Sequence, residues 1–174
     1  VTRDRNYKLV PALATDWKQT SPTVWRFNLR KNVQFHDGTP FTADDVIFNY
    51  ERSKDAGSDM KSYVGNIKEI KKIDDHTVDF VLNNPFPILP ELFTAWLQMS
   101  KKWCETNQAT KPVDRRKGVE NAASFRANGT GPFRARERQP GVRTVFSRSG
   151  NYWGKVESNV DEVIFTPIGN DSTR

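Results

Sequence analysis

Apolar and polar positions alternate over residues 25–30, where Trp25, Phe27 and Leu29 fall on one side of an extended chain and Arg26, Asn28 and Arg30 on the other. A period of two predicts a strand with one buried and one wet face. Residues 15–20 predict a second strand, reaching a turn at Ser21-Pro22-Thr23 before the chain returns. Val78, Phe80 and Leu82 repeat the alternation after a turn at Asp74-Asp75-His76. Ile67, Ile70 and Ile73 fit neither period cleanly, and the stretch is read as a strand. The first eight residues are polar and are expected to be irregular, with buried material beginning at Leu9-Val10-Pro11-Ala12-Leu13.

Between these strands the pattern becomes helical. His36-Asp37-Gly38 reads as a turn, because glycine tolerates positive φ and aspartate can bond its own backbone there. Thr42 is an N-cap, Asp45 completes a reciprocal capping box, and Phe41 and Val46 can form a hydrophobic staple. Asp44 and Asp45 place negative charge at the positive end of the helix dipole. Val46, Ile47 and Tyr50 supply an apolar stripe for a helix from Thr42 to about Ser53, and the chain loosens over 55–59.

Further along, Pro85, Pro87 and Pro90 punctuate a short helical stretch in which Ile88 and Leu92 can share a face. A helix capped by Ser100 is expected to reach Asn107, followed by a basic surface loop over 108–120. A short helix should close near Asn128-Gly129, with Gly129 in the left-handed conformation. Gly129-Thr130-Gly131-Pro132 then opens a strand from Phe133 to Arg138, which turns at Pro140-Gly141 and returns over Arg143 to Arg148. The last apolar strand spans Val163 to Ile168.

Composition narrows the function classes. With 36% hydrophobic and 28% charged residues and a mean hydropathy of −0.74, the 174-residue chain suits one medium folded domain, or one domain plus a piece of another, with a wet surface. It contains no apolar run of about eighteen residues, the length a spanning helix needs. The single cysteine, Cys104, can form no internal disulfide and no cysteine-rich metal site. A net charge of +6 and a pI near 9.5 admit an anionic partner but equally describe a solvated surface. No signal peptide is visible, and Asn170-Asp171-Ser172-Thr173 has a helix-capping composition with no helix after it, so a longer natural chain is expected.

Three blocks carry a family resemblance. The first runs from Leu13-Ala14-Thr15-Asp16-Trp17 through Trp25 to Val46, around His36-Asp37-Gly38-Thr39-Pro40-Phe41. The second is Gly129-Thr130-Gly131-Pro132-Phe133, and the third is Arg148-Ser149-Gly150-Asn151-Tyr152-Trp153 followed by Asp161-Glu162-Val163. In order and spacing they resemble the family 5 extracellular solute-binding proteins, the peptide and nickel receptors of bacterial ABC importers. The resemblance covers residues 8–174 but only a minor part of such a receptor. It implies a mixed α/β chain and a partial type II periplasmic-binding-protein-like fold. Residues 1–128 would form the extra small domain and 129–174 the start of the main ligand-binding lobe.

It also implies a non-enzymatic, periplasmic or exported protein that binds a peptide or other small solute, partners a membrane permease and needs no cofactor. Arg148 is then expected at the ligand cleft, gripping a ligand carboxylate, with Trp153 as a wall and Thr130 and Gly131 as further ligand-binding positions. A strand edge left uncovered by a missing lobe makes self-association an expectation to test.

Other chemistry is poorly served. Asp44 and Asp45 point about 100° apart on a helix, so capping explains them better than acid–base work. His36 and His76 lack the convergent ligands of a metal site. The two glycines around Thr130 lack the third glycine of a dinucleotide loop and the lysine of a P-loop. Arg134, Arg136 and Arg138 lie on one face of the expected strand, and Arg143 and Arg148 lie across the hairpin, so the rival to a solute receptor is a small basic nucleic-acid or polyanion-binding module.

Overall fold

The structure is a computed structural model that describes residues 1–169; the capping composition at 170–173 lies outside the described residues. The chain is mixed α/β, and its strands form three antiparallel sheets. The strands β1 (Thr2–Arg3) and β2 (Leu9–Val10) pair as a small ladder. The first eight residues are therefore not irregular. Asp4 Oδ1 accepts from the amides of Asn6 and Lys8 and folds the connecting turn back on itself.

The main sheet has the order β3-β4-β6-β5, built from Ala14–Ser21 (β3), Val24–Leu29 (β4), Ile67–Asp74 (β5) and Thr77–Leu82 (β6). Trp25 lies opposite Phe80 and Phe27 opposite Val78, so the alternating faces of β4 and β6 coincide. Phe27, Val78 and Phe80 are almost completely buried, each such side chain contributing about 1.5–3 kcal/mol. A bulge between Ile67 and Glu69 explains the awkward isoleucine spacing. It lets Ile67 face Leu82 and Ile70 face Phe80 from the same side, while Ile73 emerges into solvent.

Helix α1 (Ala43–Lys54) packs against this sheet, with the Tyr50 hydroxyl donating to the carbonyls of Ile67 and Lys68. Its reciprocal capping box is present: Thr42 Oγ1 accepts from the Asp44 amide and Asp45 Oδ2 from the Thr42 amide. Phe41 and Val46 are both buried in the core, as a staple requires. Gly38 holds the preceding turn at φ 84°, which a side chain would strain.

The connecting helices are short: α2 (Lys61–Val64), α3 (Leu89–Leu92), α4 (Lys101–Thr106) and α5 (Ala122–Phe125), with a 3₁₀ turn at Arg115–Lys117 inside the expected surface loop. Around α3 the buried residues are Leu89 and, just past the helix, Phe93; of the expected pair Leu92 packs against the core but Ile88 is 54% exposed. Ser100 caps α4 as expected, accepting from the Trp103 amide. Helix α5 ends earlier than the expected helix, at an extended Arg126, and Gly129 is not among the glycines with positive φ.

The third sheet, β7-β8-β9, comprises Phe133–Gln139, Arg143–Arg148 and Glu162–Phe165 and lies wholly after Gly129. Strand β9 stops before Pro167, which cannot donate to a ladder. It forms the outer edge of its sheet, and Val163, Ile164 and Phe165 are all exposed, Phe165 at 59%. An apolar run with no alternation is the pattern of a strand covered on both faces.

Candidate ligand-binding site

Three polar side chains on the inner face of α1 hold one wall of the site, segment 96–99, without lining the cavity themselves. Asp45, Asn49 and Ser53 recur every four residues, so they form a row along one side of the helix, and all three are buried. Asp45 Oδ1 accepts from the Lys101 amide at 2.9 Å. Asn49 clamps Met99 by its backbone, donating to its carbonyl at 2.8 Å and accepting from its amide at 3.1 Å. Ser53 Oγ accepts from the Trp96 indole at 3.0 Å. The row thus docks the non-helical segment 96–100 between α3 and α4. Burial pushes the Asp45 carboxyl above its ordinary value, although its bonds from the Lys101 and Thr42 amides pull the other way.

A second wall is the crossing from Asn128 to Pro132, which the His36 turn holds in place. The His36 amide donates to the Gly129 carbonyl at 2.8 Å, and the Gly129 amide donates back to His36 Nδ1 at 3.3 Å. Because Nδ1 accepts, the contact of 3.0 Å from Nε2 to the Gly131 carbonyl assigns the proton to Nε2. The Asp37 amide donates to Asn128 Oδ1 at 3.2 Å, and Asn151 Nδ2 donates to the Phe35 carbonyl at 2.8 Å. The signature turn therefore ties the main sheet to the chain that starts the third sheet.

Between these walls lies an open-sided, largely apolar cavity of about 770 Å³. Thr130, Gly131 and Trp153 all line it, beside Leu97, which is 81% exposed. The Trp153 ring packs against the edge of the core and carries the Arg30 guanidinium over its face, 4.5 Å from the ring centroid. Arg148 is placed differently from the other three expected positions and does not line the cavity. Its Nη2 donates to the Ser158 and Val160 carbonyls at 2.6 and 2.8 Å, and its Nε faces the Asp161 carboxylate at 3.0 Å without hydrogen-bonding geometry, so the guanidinium fastens the segment before β9.

Four buried side-chain nitrogen or oxygen atoms among the described residues have no hydrogen-bond partner, and three of them belong to cavity residues: Gln98 Oε1, Asn128 Nδ2 and Trp153 Nε1. Asn128 Nδ2 helps hold the Asp37 carboxyl below its ordinary value without reaching hydrogen-bonding geometry. The fourth is Arg148 Nε, off the cavity. Buried polar groups are normally paired, so three such atoms in residues that line one cavity set its wall apart from the rest of the interior. Of the three, Trp153 was expected at the cleft from the resemblance; Gln98 and Asn128 were not expected as ligand contacts, since burial beside an open cavity leaves no local pattern.

Reactive centres are otherwise sparse. Cys104 is fully buried, and burial pushes its thiol up to about 11. No group of three or more histidine, cysteine or acidic side chains among the described residues could hold a metal ion, and none of their helices is long and apolar enough to cross a membrane. Arg134, Arg136 and Arg138 are exposed on β7, but they do not share one face: a bulge between Ala135 and Glu137 breaks the alternation, so Arg134 lies opposite Ser147 and Arg138 opposite Thr144, on different sides of the sheet.

Comparison with known proteins now adds the family. Residues 8–174 match the model of bacterial extracellular solute-binding proteins, family 5 (middle), and the chain belongs to that family. It is 28% identical over 189 aligned positions to the dipeptide-binding protein of Escherichia coli K12, covering 96% of this chain and 34% of that one. Among solved structures, DppA from Helicobacter pylori in complex with the peptide STSA superimposes with a TM-score of 0.76 at 28% identity, over 95% of this chain and 35% of the other. NikZ from Campylobacter jejuni in complex with Ni(L-His) gives a TM-score of 0.85 over 98% and 33%, and at 23% identity it shows the shared fold alone. The chain spans about a third of the length of these relatives.

Proposed function

We propose that this chain forms part of the substrate-binding component of an ABC importer that takes up peptides, with the cavity beside Trp153 as its share of the ligand site. The observation that carries this reading is the grouping of unpartnered Gln98 Oε1, Asn128 Nδ2 and Trp153 Nε1 on one largely apolar cavity. A peptide offers both the N–H donors and the carbonyl acceptors that would satisfy them, and side chains to fill the apolar remainder. The relatives that bear the names of peptide-binding proteins support the same substrate class. Residues 1–128 act as the small extra domain and 129–174 as the start of the main lobe, with Thr130, Gly131 and Trp153 contacting ligand and Arg148 bracing the segment beside it. A second lobe would close over the peptide, shifting a population rather than catalysing a reaction, and the closed form would engage a membrane permease. The setting is periplasmic, and no enzymatic step or cofactor is involved.

The test is equilibrium dialysis of the tripeptide Ala-Leu-Phe against the chain at about 50 and about 200 mM salt, beside a single-stranded oligonucleotide. Saturable peptide binding that changes little with salt, and weakens when Trp153→Phe removes the indole N–H, is the expected result. Oligonucleotide binding that falls by a factor of about 10³ or more over that salt range, with no peptide bound, would make the exposed arginines of β7 the functional surface instead.

A further inference from the structure

We infer that Asn128-Gly129 is a site of self-catalysed deamidation, in which the Gly129 nitrogen attacks the Asn128 side-chain amide and His36 serves as the base. The inference concerns the chain's own covalent chemistry and stands apart from what the cavity binds. This is the one Asn-Gly pair in the sequence, and glycine, having no Cβ, leaves its backbone nitrogen open to such an attack. Residues 126–129 lie outside helix and strand, so no ladder restrains the pair. The fold sets both reacting groups against one turn. The Gly129 amide donates to His36 Nδ1 at 3.3 Å, and the adjoining Asp37 amide donates to Asn128 Oδ1 at 3.2 Å. With the imidazole proton on Nε2, directed at the Gly131 carbonyl 3.0 Å away, Nδ1 is the unprotonated nitrogen that takes the Gly129 proton. The Asp37 N–H sits where negative charge develops as the amide is attacked. Its bond also fixes which way the Asn128 amide points, and the leaving nitrogen, Nδ2, is left with no hydrogen bond to retain it. Both contacts are long, as such contacts are in a resting site, and tighten as charge develops.

In the first step the Gly129 N–H proton passes to His36 Nδ1, the freed electron pair forms a bond from that nitrogen to Asn128 Cγ, and the carbonyl π pair moves onto Oδ1. In the second, that pair returns, the Cγ–Nδ2 bond breaks, and Nδ2 takes the proton back from His36 and leaves as ammonia. The imidazole is neutral again, and a five-membered succinimide joins the two residues. Asn128 and Gly129 both line the open-sided cavity, so water reaches the ring and adds to either carbonyl, giving aspartate or isoaspartate. Aspartate sets a second carboxylate beside Asp37, where like charges oppose each other. Isoaspartate lengthens the backbone within the crossing, so the His36 ring no longer spans Gly129 and Gly131. Either product alters the cavity wall, which makes the pair a slow clock on the state of the cavity.

The experiment is incubation of the 174-residue chain at neutral pH, folded in buffer and unfolded in guanidinium chloride, followed by proteolysis and mass spectrometry of the peptide that carries Asn128. Exchange of the amide for an acid raises the peptide's mass, and chromatography separates aspartate from isoaspartate. The inference expects Asn128 to deamidate at least about tenfold faster in the folded chain than in the unfolded one, because a positioned base and an amide donor act only when folded. Isoaspartate should accompany aspartate, since only the succinimide route yields it. His36→Gln still offers an oxygen to the Gly129 amide but no basic nitrogen, and with an unchanged circular dichroism spectrum its rate should fall to that of the unfolded chain or below. Should His36→Gln not fold, the folded and unfolded rates of the unaltered chain decide the matter alone. Slower deamidation in the folded chain would overturn the inference, because the turn would then protect Asn128. So would an unaltered rate in folded His36→Gln, or aspartate formed without isoaspartate.

Discussion

Replacing Asn49 with alanine should destabilise the chain more than any exposed change on the same helix, because the lost bonds all serve one buried segment. Asn49 is 4% exposed and makes three side-chain hydrogen bonds, to the Asp45 carbonyl, the Met99 carbonyl and the Met99 amide. The Asp45 carbonyl keeps its place in the helix ladder, so truncation orphans only the Met99 N–H and C=O. Each unpaired group costs about 1–3 kcal/mol when buried; Met99 is only partly buried, so the two together cost about 2–4 kcal/mol. Alanine's better helix propensity returns about 0.5 kcal/mol, leaving a net loss of about 1.5–3.5 kcal/mol. For a chain of this size that lowers Tm by about 5–10 °C. The assay is urea unfolding followed by circular dichroism, with Glu51→Ala as the control, since Glu51 is exposed and pairs only with Lys54. Hydrogen exchange at the Met99 amide supplies the local readout. A loss under about 0.5 kcal/mol with unchanged Met99 protection would refute the idea that this row of polar residues holds the cavity wall.

Three further outcomes follow from other parts of the structure. Cys104, with its thiol near 11 rather than an ordinary 9.0, should react with iodoacetamide at pH 8 on the order of 100-fold more slowly in the folded chain than in urea, and equal rates would contradict its burial. Burial pushes Asp37 up, but bonds from the Thr39 hydroxyl and amide, together with the Asn128 amide, outweigh it and hold its pKa below the ordinary 3.8. Its stabilisation is therefore complete above that value and is lost as the pH falls through the lower folded-state value. The urea midpoints of wild type and Asp37→Ala should differ at neutral pH and converge in acid; a gap that persists into strong acid would sink the assignment. The uncovered apolar edge of β9 should make the chain self-associate, and Ile164→Lys should return it to a monomer in sedimentation velocity; a wild-type monomer at high concentration would count against this.

Much of the scaffold was legible because its causes are local. Alternation at Trp25, Phe27 and Leu29, the Thr42 capping box and the Ser100 cap each depend on neighbours within a few residues, and each is present. Ile67 and Ile70 were ambiguous because a bulge moves one residue out of register, and only the partner strand reveals it. The row Asp45, Asn49 and Ser53 has the spacing of a solvated stripe, yet its partners are the backbone and indole of a segment more than forty residues away. His36 read as a turn residue, which it is, while its bonds to Gly129 and Gly131 were hidden by a separation of more than ninety residues. The pattern around Thr130, Gly131 and Trp153 drew attention to cavity positions through resemblance. Arg148 shared that pattern, but its Nη2 is bonded to the carbonyls of Ser158 and Val160 and the residue lies off the cavity.

The central claim is that the cavity bounded by segments 96–99, 128–132 and 152–153 is where a peptide binds. Its most direct test is photo-crosslinking of the chain with a tripeptide carrying a benzophenone side chain, followed by mass spectrometry of the labelled fragments. The account predicts saturable labelling at Leu97, Met99, Asn128 to Pro132 and Tyr152-Trp153, competed by unlabelled peptide. Labelling confined to β7 and β9, or spread without saturation, would contradict it.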